Sequence, residues 1–217
     1  MKIIGHRGNT LKDLKEALKH KVDEIEFDVR VTSDDIPVLY HDSQFLTAKG
    51  EKLKIAGSTL KLLKKNKPSL TTLRELFEAV DPETSLYIEI KPGVRTGPII
   101  KALKDQLKKG RPAKNMRIAS FSQRILKDVH SSLPELPKII NETWRRGKAR
   151  KRADAVATKA ISMSHKWMHK SMIKKMKKRG YELHAYTLNN PVRAAKFHAH
   201  GLVGAITDFP ARFKKKH

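Results

Sequence analysis

The feature that most restricts the fold is a short stretch that alternates apolar and acidic residues, Ile25-Glu26-Phe27-Asp28-Val29. In a β-strand, alternate side chains point to the same face, so Glu26 and Asp28 lie side by side while the apolar residues face the other way. Two adjacent carboxylates destabilise a fold unless a cation or a shared proton lies between them. The stretch therefore predicts a strand with one apolar face and one face that belongs to a functional site.

A second stretch, Tyr87-Ile88-Glu89-Ile90-Lys91, repeats this alternation. Glu89 and Lys91 share one face of the predicted strand, and the two isoleucines share the other. Charged side chains at strand positions in two separate segments are costly, and we interpret both as parts of one site. The alternative is a structural ion-pair network without a catalytic role.

About eight predicted strands alternate with helices along the 217 residues. This rhythm is typical of a parallel sheet with helices outside it. Polar residues follow several strands, namely His6, Arg7, His41, Lys91 and Asp208. Because the carboxyl ends of barrel strands converge on one face, we predict an α/β fold, a (β/α)8 TIM barrel. A doubly wound open sheet is the alternative, and it brings fewer strand ends together.

Three segments add detail to this prediction of a single domain over residues 1–217. The lysine-rich residues 43–70 have no long periodic run, and we expect them to form a small cap inserted after the third strand, at residues 37–41. We predict a further strand over residues 153–160. We also predict an amphipathic helix over residues 166–179.

Composition excludes several classes of protein. Cysteine is absent, so neither disulfides nor thiolate metal sites are present. No apolar run approaches the roughly 20 residues of a membrane span. The apolar part of the first eight residues is too short for a signal peptide. We therefore expect a soluble, cytoplasmic protein.

The net charge of +25 is concentrated in residues 143–217, which contain 20 lysines and arginines and three acids. A basic surface attracts phosphate-bearing substrates, anionic lipid headgroups or nucleic acid. The basic runs lack interleaved aromatic residues and contain no nucleic-acid motif, so we expect no specific nucleic-acid partner. The alternative to an enzyme is a basic protein that binds nucleic acid or an anionic membrane on a related barrel with altered or lost catalysis. An enzyme with peripheral contact to an anionic membrane is a further alternative, and a proteome that is basic throughout would also explain the charge.

The charged and imidazole side chains together indicate a metal-assisted reaction. Three carboxylates, Glu26, Asp28 and Glu89, suit one hard divalent cation, Mg²⁺ or Ca²⁺. His6 and His41 follow neighbouring strands, and two imidazoles can act as general acid and general base near neutral pH.

Two cations and an aromatic residue complete the predicted site. Arg7 and Lys91 can neutralise phosphate oxygens, and arginine can do so with two hydrogen bonds. Metal, imidazoles and cations together predict phosphoryl chemistry on a small phosphodiester substrate. His184 shares strand parity with Tyr186, and we consider both as candidates to line the pocket.

A series of motifs runs in a fixed order through nearly the whole chain: Gly5-His6-Arg7-Gly8, residues 23–29, His41-Asp42, Glu89-Ile90-Lys91, Tyr186-Thr187-Leu188-Asn189 and residues 204–210. In residues and order these motifs resemble the glycerophosphodiester phosphodiesterase family. The first 42 residues are the most specific part of the resemblance.

The resemblance implies a TIM barrel with a small inserted cap. It implies that the three carboxylates hold a divalent metal, that the two histidines form an acid–base pair, and that Arg7 and Lys91 hold the phosphate. The implied reaction releases glycerol 3-phosphate and an alcohol. In such enzymes the substrate's own glycerol hydroxyl can attack first, giving a cyclic phosphate that water then opens.

Two departures from the family pattern concern the pocket wall. The family usually has a longer loop with a Pro-Glu-Asn-Thr run after its His-Arg-Gly, whereas here Asn9 and Thr10 follow Gly8 directly. We expect the wall beside His6 to be more open as a result. The family's usual tryptophan before threonine is Tyr186, which keeps an aromatic wall and adds a hydroxyl.

Overall fold

The computed structural model describes residues 1–143 and 146–213. The strands are, in chain order, β1 (Lys2–Gly5), β2 (Glu24–Val31), β3 (Pro37–Leu39), β4 (Gln44–Leu46), β5 (Lys52–Lys54), β6 (Leu86–Ile90), β7 (Met116–Ser120), β8 (Lys138–Glu142), β9 (Ala160–Ser164), β10 (Glu182–Tyr186) and β11 (Leu202–Thr207). The α-helices are α1 (Leu11–Lys19), α2 (Leu60–Asn66), α3 (Leu73–Ala79), α4 (Gly97–Lys108), α5 (Gln123–Ser132), α6 (Arg146–Asp154), α7 (Lys170–Lys178) and α8 (Pro191–His198).

Eight of the described strands close into a parallel barrel. β1 pairs with both β11 and β2, and the remaining pairs follow the order β2, β6, β7, β8, β9, β10, β11. β3 pairs antiparallel with the C-terminal end of β2, at Val29–Val31. The closed ring confirms the predicted TIM barrel, because a doubly wound sheet would end in two unpaired edges.

The two faces of β2 have the opposite environments that its alternation predicts. Ile25, Phe27 and Val29 are buried in the main core with apolar residues of the surrounding helices. Burying each such side chain contributes about 1.5–3 kcal/mol. Glu26 and Asp28 point into the barrel instead. The strand is therefore fixed by packing on its outer face, and this packing holds the two acids in place.

Helix α1 begins directly after the segment that follows β1. Thr10 is the N-cap of this helix, because its Oγ1 accepts a hydrogen bond from the Asp13 backbone N–H at 3.1 Å. An N-cap of this kind contributes about 1 kcal/mol. It fixes the start of the helix three residues beyond the end of the His6–Arg7 segment, which limits how far that segment can move.

The predicted strand over residues 153–160 is wrong. Residues 153 and 154 end α6, and the strand is β9, over Ala160–Ser164. The physical reason is the spacing of small apolar residues: Ala149, Ala153 and Val156 are buried at intervals of four and three, which is the period of a helix.

The helix predicted over residues 166–179 is shorter than expected. A 3-10 turn, His165–Trp167, precedes it, and α7 begins at Lys170 with His169 as its N-cap. Met168 is buried but lies outside the helix. No helix of the described residues is long and apolar enough to cross a membrane.

Residues 43–70 contain the β4–β5 hairpin, a 3-10 turn at Ile55–Gly57 and helix α2. Four of their residues, Phe45, Ile55, Leu63 and Leu70, form a small apolar cluster together with Val38 of β3. That this segment acts as a cap on the single domain 1–217 stays a prediction.

Candidate active site

The segment after β1 places a backbone donor against the acids of β2. Arg7 has a φ of 61°, in the left-handed region, and its N–H donates to Glu26 Oε2 at 2.8 Å. That conformation is unfavourable for a residue with a Cβ atom, and the hydrogen bond to a carboxylate offsets it. Gly8 follows, and a Cβ there would lie 2.7 Å from Ile25 Cγ2. The close approach of this segment to β2 therefore requires glycine at position 8.

Three buried carboxylates from β2 and β6 meet inside the barrel. β2 and β6 are parallel neighbours, and Asp28 lies beside Glu89 in their register. One oxygen each from Glu26, Asp28 and Glu89 lies within 4.8 Å of the others. Lys91 Nζ lies 2.8 Å from Asp28 Oδ1 and 2.6 Å from Glu89 Oε1. The predicted cluster of acids is therefore formed, with one ammonium group on its edge.

The electrostatics of this cluster fit a divalent cation. Burial, with Asp28 and Glu89 adding to it, holds the pKa of Glu26 well above its usual range. Burial also raises the pKa of Glu89. For Asp28, burial is outweighed by Lys91 and by a hydrogen bond from Asn9, so its pKa is lowered. One lysine does not neutralise three carboxylates, and an all-oxygen donor set of this charge suits Mg²⁺ or Ca²⁺.

Three polar residues that the sequence analysis missed hold these acids in position. Asn9 donates through Nδ2 to Asp28 Oδ2 at 2.9 Å and accepts from the Asp28 N–H at 2.8 Å. Asn141 donates to Glu89 Oε2 at 2.9 Å, and Tyr87 OH donates to Asn141 Oδ1 at 3.3 Å. Tyr87 could have been identified from the sequence because it shares a strand face with Glu89. Asn141 could have been identified because it lies near the carboxyl end of β8. Only its place directly after Gly8 signals Asn9.

His6 is held by a carboxylate from the far end of the chain. Its Nδ1 lies 2.5 Å from Asp208 Oδ1, and because a carboxylate only accepts, Nδ1 carries the proton. Asn189 donates to the other Asp208 oxygen at 2.8 Å. His6 Nε2 faces the acids, 3.9 Å from Glu26 Oε2. Burial lowers the pKa of His6 and outweighs the opposite effect of Asp208.

His41 follows β3 on a more exposed segment. The Arg30 guanidinium donates two hydrogen bonds to the His41 carbonyl, at 3.1 and 2.8 Å. His41 Nδ1 lies 2.7 Å from Asp42 Oδ1, and the side chains of His41 and Asp42 are 42% and 69% exposed. The backbone of His41 is thus fixed, whereas its ring and its carboxylate partner face solvent.

These side chains surround one cavity of about 220 Å³ at the carboxyl ends of the strands. Its lining consists of His6, Arg7, Glu26, Asp28, His41, Tyr87, Glu89, Lys91, Phe121, Asn141, Tyr186, Thr187 and Ile206. The structure therefore brings together both predicted histidines, both predicted cations and all three predicted acids. None of the lining residues belongs to residues 43–70.

Of the two residues considered for the pocket wall, only Tyr186 lines the cavity. Its ring contacts Phe121 edge-on, and its hydroxyl donates to the Glu142 carbonyl at 2.9 Å. Burial raises its pKa to about 12.

The placement of His184 corrects the other expectation. It does face the barrel interior, but it lies two residues earlier on β10, and its ring is fully buried between Tyr87 and Gly204. Within the part of the chain that the structure describes, neither ring nitrogen has a hydrogen-bond partner, and burial lowers its pKa to about 3.

The comparison with known families agrees with this site. The sequence profile of the glycerophosphoryl diester phosphodiesterase family matches residues 5–212, which include every residue that lines the cavity. The chain belongs to the glycerophosphoryl diester phosphodiesterase family. It is accordingly an enzyme of the phosphoric diester hydrolase class, as the resemblance implied.

Relatives within the glycerophosphoryl diester phosphodiesterase family match over almost their whole length. A glycerophosphodiester phosphodiesterase of Caldanaerobacter subterraneus is 28% identical and is covered over 94% of its length, with 96% of this chain. One from Bacillus subtilis is 24% identical, with 85% of its length and 98% of this chain covered. Among solved structures, an Oleispira antarctica phosphodiesterase in complex with the product sn-glycerol-3-phosphate has a TM-score of 0.85 and 23% identity, and the match covers 98% of this chain and 95% of that one.

Proposed function

We propose that this enzyme hydrolyses glycerophosphodiesters to glycerol 3-phosphate and an alcohol, with a divalent cation on Glu26, Asp28 and Glu89 and with His6 and His41 as the acid–base pair. The observation that carries the proposal is that these five side chains line one cavity. The names of the relatives and the product bound to the Oleispira antarctica phosphodiesterase support the same substrate class.

The metal ligands of the proposal are the three acids. A bound divalent cation supplies charge neutralisation to the phosphoryl oxygens of the substrate. The chain prepares this site by orienting Asp28 through Asn9 and Glu89 through Asn141, as the hydrogen bonds of those amides require. Because these carboxylates are already oriented in a buried site, little free energy is needed to reorganise them during the reaction.

His6 is assigned the role of general base. Its Nδ1–H is committed to Asp208, which leaves the Nε2 lone pair directed into the cavity. The lowered pKa keeps this ring neutral near pH 7, which is the form that accepts a proton. In the first step Nε2 takes the proton of the glycerol hydroxyl while its oxygen forms the new bond to phosphorus.

His41 is assigned the role of general acid. As the bond between phosphorus and the leaving oxygen breaks, the imidazolium of His41 gives its proton to that oxygen and the alcohol departs. Its exposed position leaves room for alcohols of different size. In the second step the roles reverse, and water opens the cyclic phosphate to glycerol 3-phosphate.

Arg7 and Lys91 are proposed to bind the phosphate oxygens. Two of the three ammonium hydrogens of Lys91 are directed to Asp28 and Glu89, which leaves one for a substrate oxygen. The exposed Arg7 side chain lines the same cavity and can bind phosphate with two parallel hydrogen bonds. Lys91 thus links the metal ligands to the phosphate, and Arg7 adds specificity for its geometry.

The test is an assay over glycerophosphodiesters with choline, ethanolamine, glycerol and inositol headgroups, with and without a chelator. We expect release of glycerol 3-phosphate that the chelator abolishes and that excess Mg²⁺ or Ca²⁺ restores. Glu89→Gln should be inactive, whereas Glu78→Gln, on the exposed face of α3, should match the parent enzyme. Full activity in the chelator, or in Glu89→Gln, would contradict the proposal.

A further inference from the structure

We propose that the loops and first helical turns after β9, β10 and β11 form a docking surface for an anionic phospholipid bilayer, with Trp167, Val192 and Phe209 as its apolar tips. We call the surface formed by these segments the rim. The binding role proposed for it is separate from the hydrolysis reaction. The rim's three apolar tips are not among the residues that line the cavity.

Half of the six large exposed apolar side chains among the described residues belong to this rim. Trp167 is 48% exposed, Val192 64% and Phe209 44%. Each follows a barrel strand within a few residues, and β9, β10 and β11 are neighbours in the sheet. The three side chains therefore lie on the carboxyl-end face of the barrel, the face on which the cavity opens. Exposed aromatic and aliphatic groups collected on one face indicate an interaction site.

Hydrogen bonds join the three loops into one surface. The Arg193 guanidinium, after β10, donates to the His165 carbonyl after β9 at 3.2 Å. Asn189, also after β10, donates to Asp208 after β11 at 2.8 Å and accepts from the Asp208 N–H at 2.9 Å. The rim is thus held in place before it meets a partner, which lowers the entropic cost of binding.

The charge of the rim selects the partner. Its exposed charged side chains are Lys166, Lys170, Arg193, Arg212 and the single acid Asp208. Asp208 is engaged by His6 and Asn189, so its charge is partly offset. The Arg212 guanidinium lies 4.1 Å from the centre of the Phe209 ring, which places a cation directly beside an apolar tip.

A membrane interface matches this combination of groups. Tryptophan and phenylalanine insert at the level of the lipid headgroups, and lysine and arginine bind anionic headgroups beside them. Nucleic acid explains the cations and could stack on the aromatic rings, but the more exposed Val192 has no role in such a complex. The bilayer is therefore the partner that accounts for both the apolar tips and the cations. Docking in this way would turn the cavity toward the lipid surface.

The chain provides matched control residues away from the rim. Leu18 is 40% exposed near the end of α1, and Lys104 and Lys108 are exposed on α4. Both helices start at the carboxyl-end face, so Leu18 and Lys108 lie toward the opposite face. The lysine substitutions at these positions change the net charge by the same amount as those of the rim, and Leu18→Ser removes one exposed apolar side chain without touching the rim.

The experiment is co-sedimentation of the full chain with vesicles of phosphatidylcholine alone and with added phosphatidylglycerol, at low and high salt. We expect binding to the anionic vesicles that high salt weakens. Lys166→Glu with Lys170→Glu should weaken it at least about tenfold, and Lys104→Glu with Lys108→Glu clearly less. Trp167→Ser with Phe209→Ser should also weaken it at least about tenfold, whereas Leu18→Ser should not.

A second measurement covers variants that fold poorly. In Trp144→Phe the remaining tryptophan is Trp167, and brominated lipid should quench its emission on anionic vesicles. Equal losses for rim and control variants, absent binding, absent quenching, or binding to duplex DNA with the same dependence on the rim residues would overturn the proposal. Hydrolysis of a soluble glycerophosphodiester by the rim variants should equal that of the parent, so a failed docking surface and a failed active site are distinguishable.

Discussion

His6 and His41 line the same cavity, each with a carboxylate on Nδ1, yet their surroundings differ. His6 is largely buried, and Asp208 behind it is itself held by Asn189. His41 is 42% exposed, and Asp42 behind it is 69% exposed. The β1 and β11 side of the site is therefore built into the barrel, and the β3 side stands on a loop that is fixed only through its backbone.

We infer that the two sides of the site have different roles in binding the substrate. In the proposed mechanism the attacking hydroxyl belongs to the glycerol part, which is the same in every glycerophosphodiester, so a rigid base can be matched to it. The leaving alcohol varies, and a histidine with an exposed ring can adapt to it. We therefore connect the rigid side with glycerol recognition and the exposed side with tolerance for the alcohol.

The largest expected effect comes from the histidines themselves. His6→Gln and His41→Gln should each lower kcat on glycerophosphocholine by about 10²–10⁴-fold, because each removes a proton-transfer group. With a p-nitrophenyl leaving group, which departs without a proton, His41→Gln should recover most of its rate and His6→Gln should not. Equal recovery in both variants would show that the assigned roles are wrong.

The next largest effect is the difference in kcat between substitutions of the two carboxylate partners, Asp208 and Asp42. Asp208→Asn removes the charge and leaves one amide oxygen for two donors, His6 Nδ1–H and Asn189 Nδ2–H, so the tautomer of His6 is no longer fixed and we expect a loss of about 10–100-fold in kcat. Asp42→Asn should change kcat by less than about threefold, because an exposed pair contributes little. Steady-state kinetics and the pH profile of the two variants check this. If Asp42→Asn proved as damaging as Asp208→Asn, the rigid and exposed sides would not be distinct.

The tight packing on the His6 side should also be measurable in the free energy of unfolding of the protein. Gly8→Ala places a methyl group 2.7 Å from Ile25 Cγ2, so we expect a cost of about 1–3 kcal/mol in the free energy of unfolding. Gly97→Ala is the matched control, since nothing lies within 4 Å of a Cβ atom there. Denaturant unfolding compares the two variants. Equal stability of both would mean that the segment after β1 is not tightly packed against β2.

The last prediction concerns His184, a third histidine inside the barrel, whose ring nitrogens have no hydrogen-bond partner among the described residues. Its folded pKa of about 3 lies below the unfolded value of 6.5, so the unfolded state binds more protons between these pH values. Its contribution to stability is complete above pH 6.5 and is lost as the pH falls toward 3. Between pH 7 and pH 5 the parent should lose about 2 kcal/mol more stability than His184→Leu. Parallel pH dependence of the two proteins would contradict the burial of an uncharged ring.

The sequence was sufficient for the acids because two simple rules apply to them. Strand parity places Glu26 beside Asp28, and parallel pairing of β2 with β6 brings Glu89 to them. It was sufficient for the barrel because the alternation of strands and helices is regular. The strand wrongly predicted over residues 153–160 begins in an alanine-rich stretch, where only the spacing of the small buried residues identifies the end of a helix.

The partners of the site residues were harder to predict. Asp208 follows β11 and was noted as a strand-end residue, but its contact with His6 joins residues 202 positions apart. Asn9 and Asn189 act from loops, whose conformation depends on packing that no local pattern encodes. Lys91 was expected to bind the substrate phosphate. Its ion pairs with Asp28 and Glu89 depend on the three-dimensional arrangement of the barrel interior.

The central claim is that the three acids of β2 and β6 bind one divalent cation between the two histidines. The most direct measurement is the anomalous scattering of crystals grown with Mn²⁺, which substitutes for Mg²⁺ at oxygen sites. We expect one strong peak bounded by Glu26, Asp28 and Glu89 and its loss in crystals of Glu89→Gln. Crystals with the three carboxylates well ordered and no peak among them would contradict the claim.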